Sequence, residues 1–293
     1  MKISVGNPVE GEDFFDREQE QARAWRKLAG SHLLMLAPRR IGKTSLILRL
    51  CATARQHGRY AVHCSFAKCE NESDCIRELF KALATEHTIE QRRKALFDKI
   101  KSVKLGPLGI DWHEARPESW REAGEELGKA LADGDDDWLV CVDELPVFII
   151  NLLQQGDDGR RRARAFLYWL RDLRQTHYRR IKWLLAGSIG LDTLAARLGL
   201  SDTINDLEPF PLDAFSEESA LRFLGELARS YAIDLDEGLR AVIVRRVGWP
   251  VPYYLQLMFE HLREECLESG RAPDAAMVER VFEKLLGMGY RNH

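Results

Sequence analysis

The sequence predicts an α/β protein, a parallel sheet flanked by helices, followed by a wholly helical C-terminal domain. Three observations carry this. An apolar run, His32–Leu36, enters the turn Ala37-Pro38-Arg39-Arg40-Ile41-Gly42-Lys43-Thr44, and a helically spaced run (Leu46, Ile47, Leu50) leaves it. A second apolar run, Trp138 to Val142, is unbroken and ends in Asp143 and Glu144, as a parallel strand covered on both faces does. From Asp213 onward only helical spacing remains.

The first observation also predicts chemistry. A strand, a tight turn and a helix start place successive backbone N–H groups around one point, and the helix N-terminus adds partial positive charge. Such a turn is a phosphate-binding loop, here formed by Pro38, Arg39, Arg40, Ile41, Gly42, Lys43, Thr44 and Ser45. Lys43 is expected to reach the terminal phosphates and the Thr44 hydroxyl to ligate Mg²⁺. The pattern wants Gly where Ala37 stands. Pro38 biases Ala37 toward extended backbone, where a side chain costs nothing.

With 293 residues the chain holds one large or two smaller domains, and 45% hydrophobic residues suffice for a sizeable core. A formal charge of −3 exerts no global pull on nucleic acid or anionic lipid. No apolar run is long enough to span a bilayer, and Met1 to Val5 lacks a signal-peptide core. Six cysteines without a disulfide framework or zinc-ribbon spacing fit a reduced, cytoplasmic setting.

In chain order, polar turn residues surround Phe14 and Phe15. The pair either packs on the core or walls a base pocket beside the loop. A helix from about Asp16 to Gly30 carries Ala22, Trp25 and Leu28 on one face. After the loop and its helix, 59–66 is a strand, and Ser73 is expected to cap a helix bearing Ile76, Leu79, Phe80 and Leu83. Residues 88–118 break the rhythm and read as a helix-plus-hairpin insertion. Ser119 is expected to cap a helix with Trp120, Ala123, Leu127 and Leu131 on its face. In Asp143 and Glu144 the acids stand at a strand's C-terminal end, where open α/β sheets bind ligands. Asp143 is expected in the Mg²⁺ shell and Glu144 on the attacking water. An arginine-crowded helix follows Arg160, read as a solvated face, a nucleic-acid patch or a source of an arginine for a neighbouring subunit. The strand 181–188 ends in Ser188, a candidate for the γ-phosphate or the water. Residues 208–212 form a strand whose prolines place it at a sheet edge.

Several of these motifs occur in an order that resembles the AAA+-related P-loop ATPases of the archaeal-type and STAND group. They are Phe14 to Glu18, the loop with its double arginine, Val142-Asp143-Glu144-Leu145, Ala186 to Leu191, and Val247-Gly248-Trp249-Pro250 followed by Tyr253 to Gln256. The resemblance covers nearly the whole chain. It implies a five-stranded parallel sheet of order 5-1-4-3-2 with a helical lid, hence an ATPase core over 1–212 and a lid over 213–293. It implies ATP and Mg²⁺ as cofactors, Lys43, Glu144 and Ser188 as catalytic groups, Thr44 and Asp143 on the metal, and Pro250 on the base or ribose. Trp249 stands near where many such proteins carry a second sensor arginine, and Arg197 is a possible substitute. The function expected is ATP hydrolysis by a switch or motor module, with a homo-oligomer or protein partner. The alternative is a nucleotide-regulated DNA-binding or scaffolding protein with little turnover.

Overall fold

The computed structural model describes residues 1–85, 119–188 and 190–287. The insertion expected over 88–118 lies outside the described residues. The chain divides into two compact units. One comprises Gln19–Leu36 and Leu50–Pro211; the other comprises Met1–Glu18, Ala37–Arg49 and Leu212–His293.

The first unit is built on a parallel sheet of β1 (His32–Leu36), β2 (Arg59–Ser65), β3 (Asp137–Asp143), β4 (Ile181–Gly187) and β5 (Leu207–Pro209), in the order β2-β3-β4-β1-β5. This is the order expected. The central strands β3 and β4 are almost wholly buried, which explains their unbroken apolar sequences. Among the described residues β5 pairs with β1 alone, so Pro209 meets no ladder there on its outer side. Strand register aligns Leu36 with Gly187, so β1 and β4 end side by side, with β3 pairing on the far side of β4.

Helices α1 (Glu18–Gly30), α3 (Glu72–Thr85), α4 (Ser119–Ala132), α5 (Leu145–Leu153), α6 (Gly156–Thr176) and α7 (Leu191–Arg197) accompany the sheet. Its core includes Leu79, Trp120, Val140, Phe148, Phe166 and Trp183. The helix of Leu79 is capped by Asn71 rather than Ser73: Asn71 Oδ1 accepts from the Asp74 N–H at 3.0 Å, and Asp74 Oδ2 accepts from the N–H of Asn71 at 3.3 Å. Arg174 of α6 is buried and bidentate to Asp206 at 2.7 and 2.9 Å. Nearby, buried His32 accepts the Trp183 N–H on Nδ1 at 3.1 Å, and its Nε2 meets the Arg174 carbonyl at 3.2 Å.

Helix α2 (Lys43–Thr53) begins in the second unit and runs into the first. The second unit also holds α8 (Glu217–Ser230), α9 (Glu237–Val247), α10 (Pro252–Ser269) and α11 (Ala275–Gly287). Ser216 caps α8, and Asp236 caps α9. The N-terminal segment is tied to these helices: the Ile3 N–H donates to Tyr231 at 2.8 Å and the Ser4 N–H to Gln256 at 2.7 Å. Among the described residues no helix is long and apolar enough to cross a membrane.

Candidate functional site

The turn after β1 belongs to the helical unit. β1 leads directly into Ala37, which is buried and does not have positive φ, so the absent glycine costs nothing there. The left-handed turns fall later, at Arg40 (φ 68°) and Gly42 (φ 102°). Gly42 needs no side chain and adopts that angle freely. Arg40 is held there by packing, since its guanidinium lies over the Tyr253 ring, 4.0 Å from the centroid.

Lys43 is buried within its own loop. Its ammonium donates to the carbonyls of Ala37 at 2.7 Å and Pro38 at 2.8 Å. The charge is thus held where the loop amides and the first turn of α2 are. Thr44 occupies that first turn, Ile41 is fully buried, and Pro38 and Arg39 are exposed. Ser45 Oγ accepts the Val9 N–H at 3.0 Å, which pins the N-terminal segment to the loop. Phe15 packs on Phe215 and Phe223, with centroids 6.0 and 5.2 Å away. The Pro250 carbonyl accepts the Phe215 N–H at 3.1 Å, after Gly248 (φ 73°) has ended α9.

The two acids at the end of β3 belong to the sheet unit. Asp143 closes β3 and is 4% exposed; its Oδ1 accepts the Glu144 N–H at 2.9 Å. Glu144 takes a left-handed conformation (φ 55°, ψ 34°) that costs an ordinary residue roughly 1 kcal/mol. That turn points its carboxylate across to the end of β4. There Glu144 Oε2 accepts both the Ser188 N–H at 3.2 Å and the Ser188 hydroxyl at 3.0 Å. Gly187 makes the approach possible, since a Cβ there would stand 2.4 Å from Pro146 Cδ, in the first turn of α5.

The arginine-rich helix α6 is partly spent on internal pairs. Arg162 binds Glu72, which is buried, through Nε at 3.0 and 3.1 Å, and Arg174 binds Asp206. Arg171 lies 3.4 Å from Asp202. Arg160, Arg161 and Arg164 are exposed.

Sequence reasoning missed the Arg40–Tyr253 stack, the Val9–Ser45 bond and the role of Gly187. Only the last left a signal: a glycine just before the polar residue that ends a wholly apolar strand.

No protein-family model and no curated protein sequence matches this chain. Solved structures do. A Walker-type ATPase of Pyrococcus abyssi is similar over 98% of this chain and 77% of its own, at 21% identity and a TM-score of 0.64. The Aeropyrum pernix ORC2 protein, in its ADPNP–ADP complexes, is similar over 93% of this chain and 70% of its own, at 14% identity and 0.63. Domain III of the Thermotoga maritima replication initiation protein DnaA is similar over 94% of this chain and 93% of its own, at 10% identity and 0.51. The strand order, the loop after β1 and the C-terminal helices agree with this likeness: the chain has the fold of the AAA+-related P-loop ATPases.

Proposed function

We propose that this chain is a Mg²⁺-dependent ATPase of the archaeal-type or STAND kind, working as a nucleotide-driven switch or motor module. The observation that carries the reading is Lys43, whose buried ammonium is gathered by two carbonyls of its own loop at the start of an 11-residue helix. A polyphosphate is the ligand that such a loop, a helix N-terminus and an ammonium together suit.

The donor chemistry fits the cofactors. Thr44 and Asp143 offer hard oxygen donors of the kind Mg²⁺ prefers. When bound, the metal neutralises charge on the phosphates. Lys43 and the loop amides from Arg39 to Ser45 hold the phosphates. Glu144 orients the attacking water and accepts its proton. Ser188, which holds the Glu144 carboxylate, fixes that base and is the group from β4 assigned to the γ-phosphate. Phe15 and Pro250 are assigned to the base and ribose. We assign the ATPase core to 1–212 and the lid to 213–293, and ATP shifts the protein toward the state that binds it better. A homo-oligomer or a protein partner receives the output. ATP is preferred to GTP because no Asn/Thr-Lys-x-Asp guanine-reading motif occurs. The setting we assign is the cytoplasm.

The experiment is nucleotide binding by Lys43→Ala. Loss of ATP affinity by about tenfold or more supports the reading, and unchanged binding and turnover overturn it. The DNA-binding alternative has less support, because Arg162, Arg171 and Arg174 are engaged internally. It requires salt-dependent DNA affinity that falls on reversing the exposed Arg160 and Arg161.

A further inference from the structure

The six cysteines are free thiols, and five of them are buried; Cys51 alone is partly exposed. Cys51 lies on α2, and its Sγ is 3.8 Å from the Sγ of Cys141 on β3. Cys141 has no exposure at all. Cys69 and Cys75 are both buried, with 1% exposure or less. Cys64 is buried and its thiol donates to the Cys141 carbonyl, at 3.9 Å. One pair therefore combines sulfur–sulfur contact with access from solvent.

We propose that Cys51 and Cys141 form a peroxide-oxidised dithiol site that ties helix α2 to strand β3. Hydrogen peroxide converts the accessible Cys51 thiol to a sulfenic acid and leaves as water. The Cys141 sulfur then attacks the Cys51 sulfur, the S–O bond breaks, and the hydroxyl leaves with the Cys141 proton as a second water. Two thiols and one peroxide thus give one disulfide and two waters. Closing from 3.8 Å to the ~2.05 Å of a disulfide requires side-chain rotation and a small shift of α2 toward β3.

The location gives the bond a consequence, which rests on the proposed ATPase reading. α2 is one continuous helix that opens with Lys43 and Thr44 and carries Cys51 two turns later. β3 carries Asp143 two residues beyond Cys141. A shift of α2 moves the helix start that the phosphates need, so the oxidised protein binds ATP more weakly.

The sequence makes the link easy to read. Trypsin places Cys51 in the peptide 50–55 and Cys141 in 130–160, each with one cysteine. The folded full chain is treated with hydrogen peroxide, alkylated without reduction, digested and analysed by mass spectrometry, beside Cys51→Ser and Cys64→Ser. The expected product is peptide 50–55 joined to 130–160 with the loss of two hydrogens. It disappears with dithiothreitol and in Cys51→Ser, and persists in Cys64→Ser. ATP affinity is expected to fall about fivefold with the link and to recover on reduction. Peptides that stay unlinked, or Cys51 oxidised further with no link, overturn the proposal while leaving the ATPase reading intact. A link formed with no change in ATP affinity, in a protein whose Lys43→Ala variant has lost binding, overturns the coupling to the nucleotide.

Discussion

Ser188 donates twice to one oxygen of Glu144, through its backbone N–H at 3.2 Å and its hydroxyl at 3.0 Å. The acceptor projects from the left-handed residue that follows β3, and the donor directly follows the neighbouring strand β4. The carboxylate assigned to the water is therefore held from outside its own strand.

Ser188→Ala removes the hydroxyl and keeps the backbone donor. The expected outcome is a turnover about tenfold lower, with ATP affinity within about threefold of the unaltered protein. Steady-state kinetics and a binding titration on the same preparation check it. Unaltered turnover would show that the hydroxyl positions nothing of consequence.

Gly187→Ala acts one residue earlier. The added methyl meets the Pro146 ring at 2.4 and 2.5 Å, so either β4 or the start of α5 must move. We expect a loss of roughly 2 kcal/mol of stability, as for overpacking of a close contact, together with a larger loss of turnover than Ser188→Ala gives. Urea denaturation followed by tryptophan fluorescence measures the first, and the kinetic comparison measures the second.

How much of this was legible beforehand differs between elements. The strands were, because β3 and β4 are covered on both faces and so consist of apolar residues almost throughout. The proline at β5 announced an edge. The turn after β1 was legible too, because a strand, a tight turn and a helix start are a local pattern of backbone conformations and the residue types follow from them. The partners of those residues were not. Whether Arg40 stacks on Tyr253, or Ser45 receives Val9, depends on residues distant in sequence that chain order does not bring together. The arginines of α6 show the same limit. Their number was plain, yet only the fold distinguishes Arg174, buried on Asp206, from exposed Arg161.

His32 supplies a pH dependence. Burial, aided by the charges of Arg174 and Lys182 and opposed by Asp206, pushes its imidazole down to about 4. Tyr178, packed edge-on to it, is the other titratable neighbour. In the unfolded chain the same group titrates near 6.5. Between those values the unfolded state binds the extra proton, so the stability from neutral His32 is complete above about pH 6.5 and is lost as pH falls toward 4. The expected loss between pH 7 and pH 5 is about 2 kcal/mol, read from urea midpoints. Asp206, raised by burial but lowered further by its bonds to and charge from Arg174, is lost only at lower pH. His32→Asn should flatten the change between pH 7 and 5; an unaltered slope would assign it to other groups.

The most direct test of the account is ATP turnover with Mg²⁺ by the unaltered chain and by Glu144→Gln, with ATP binding measured on both. The unaltered chain is expected to hydrolyse ATP, and Glu144→Gln to bind it within about threefold while turning over about a hundredfold or more slowly. Equal turnover by the two proteins, or ATP bound tightly by the unaltered chain and never hydrolysed at any protein concentration, would contradict it.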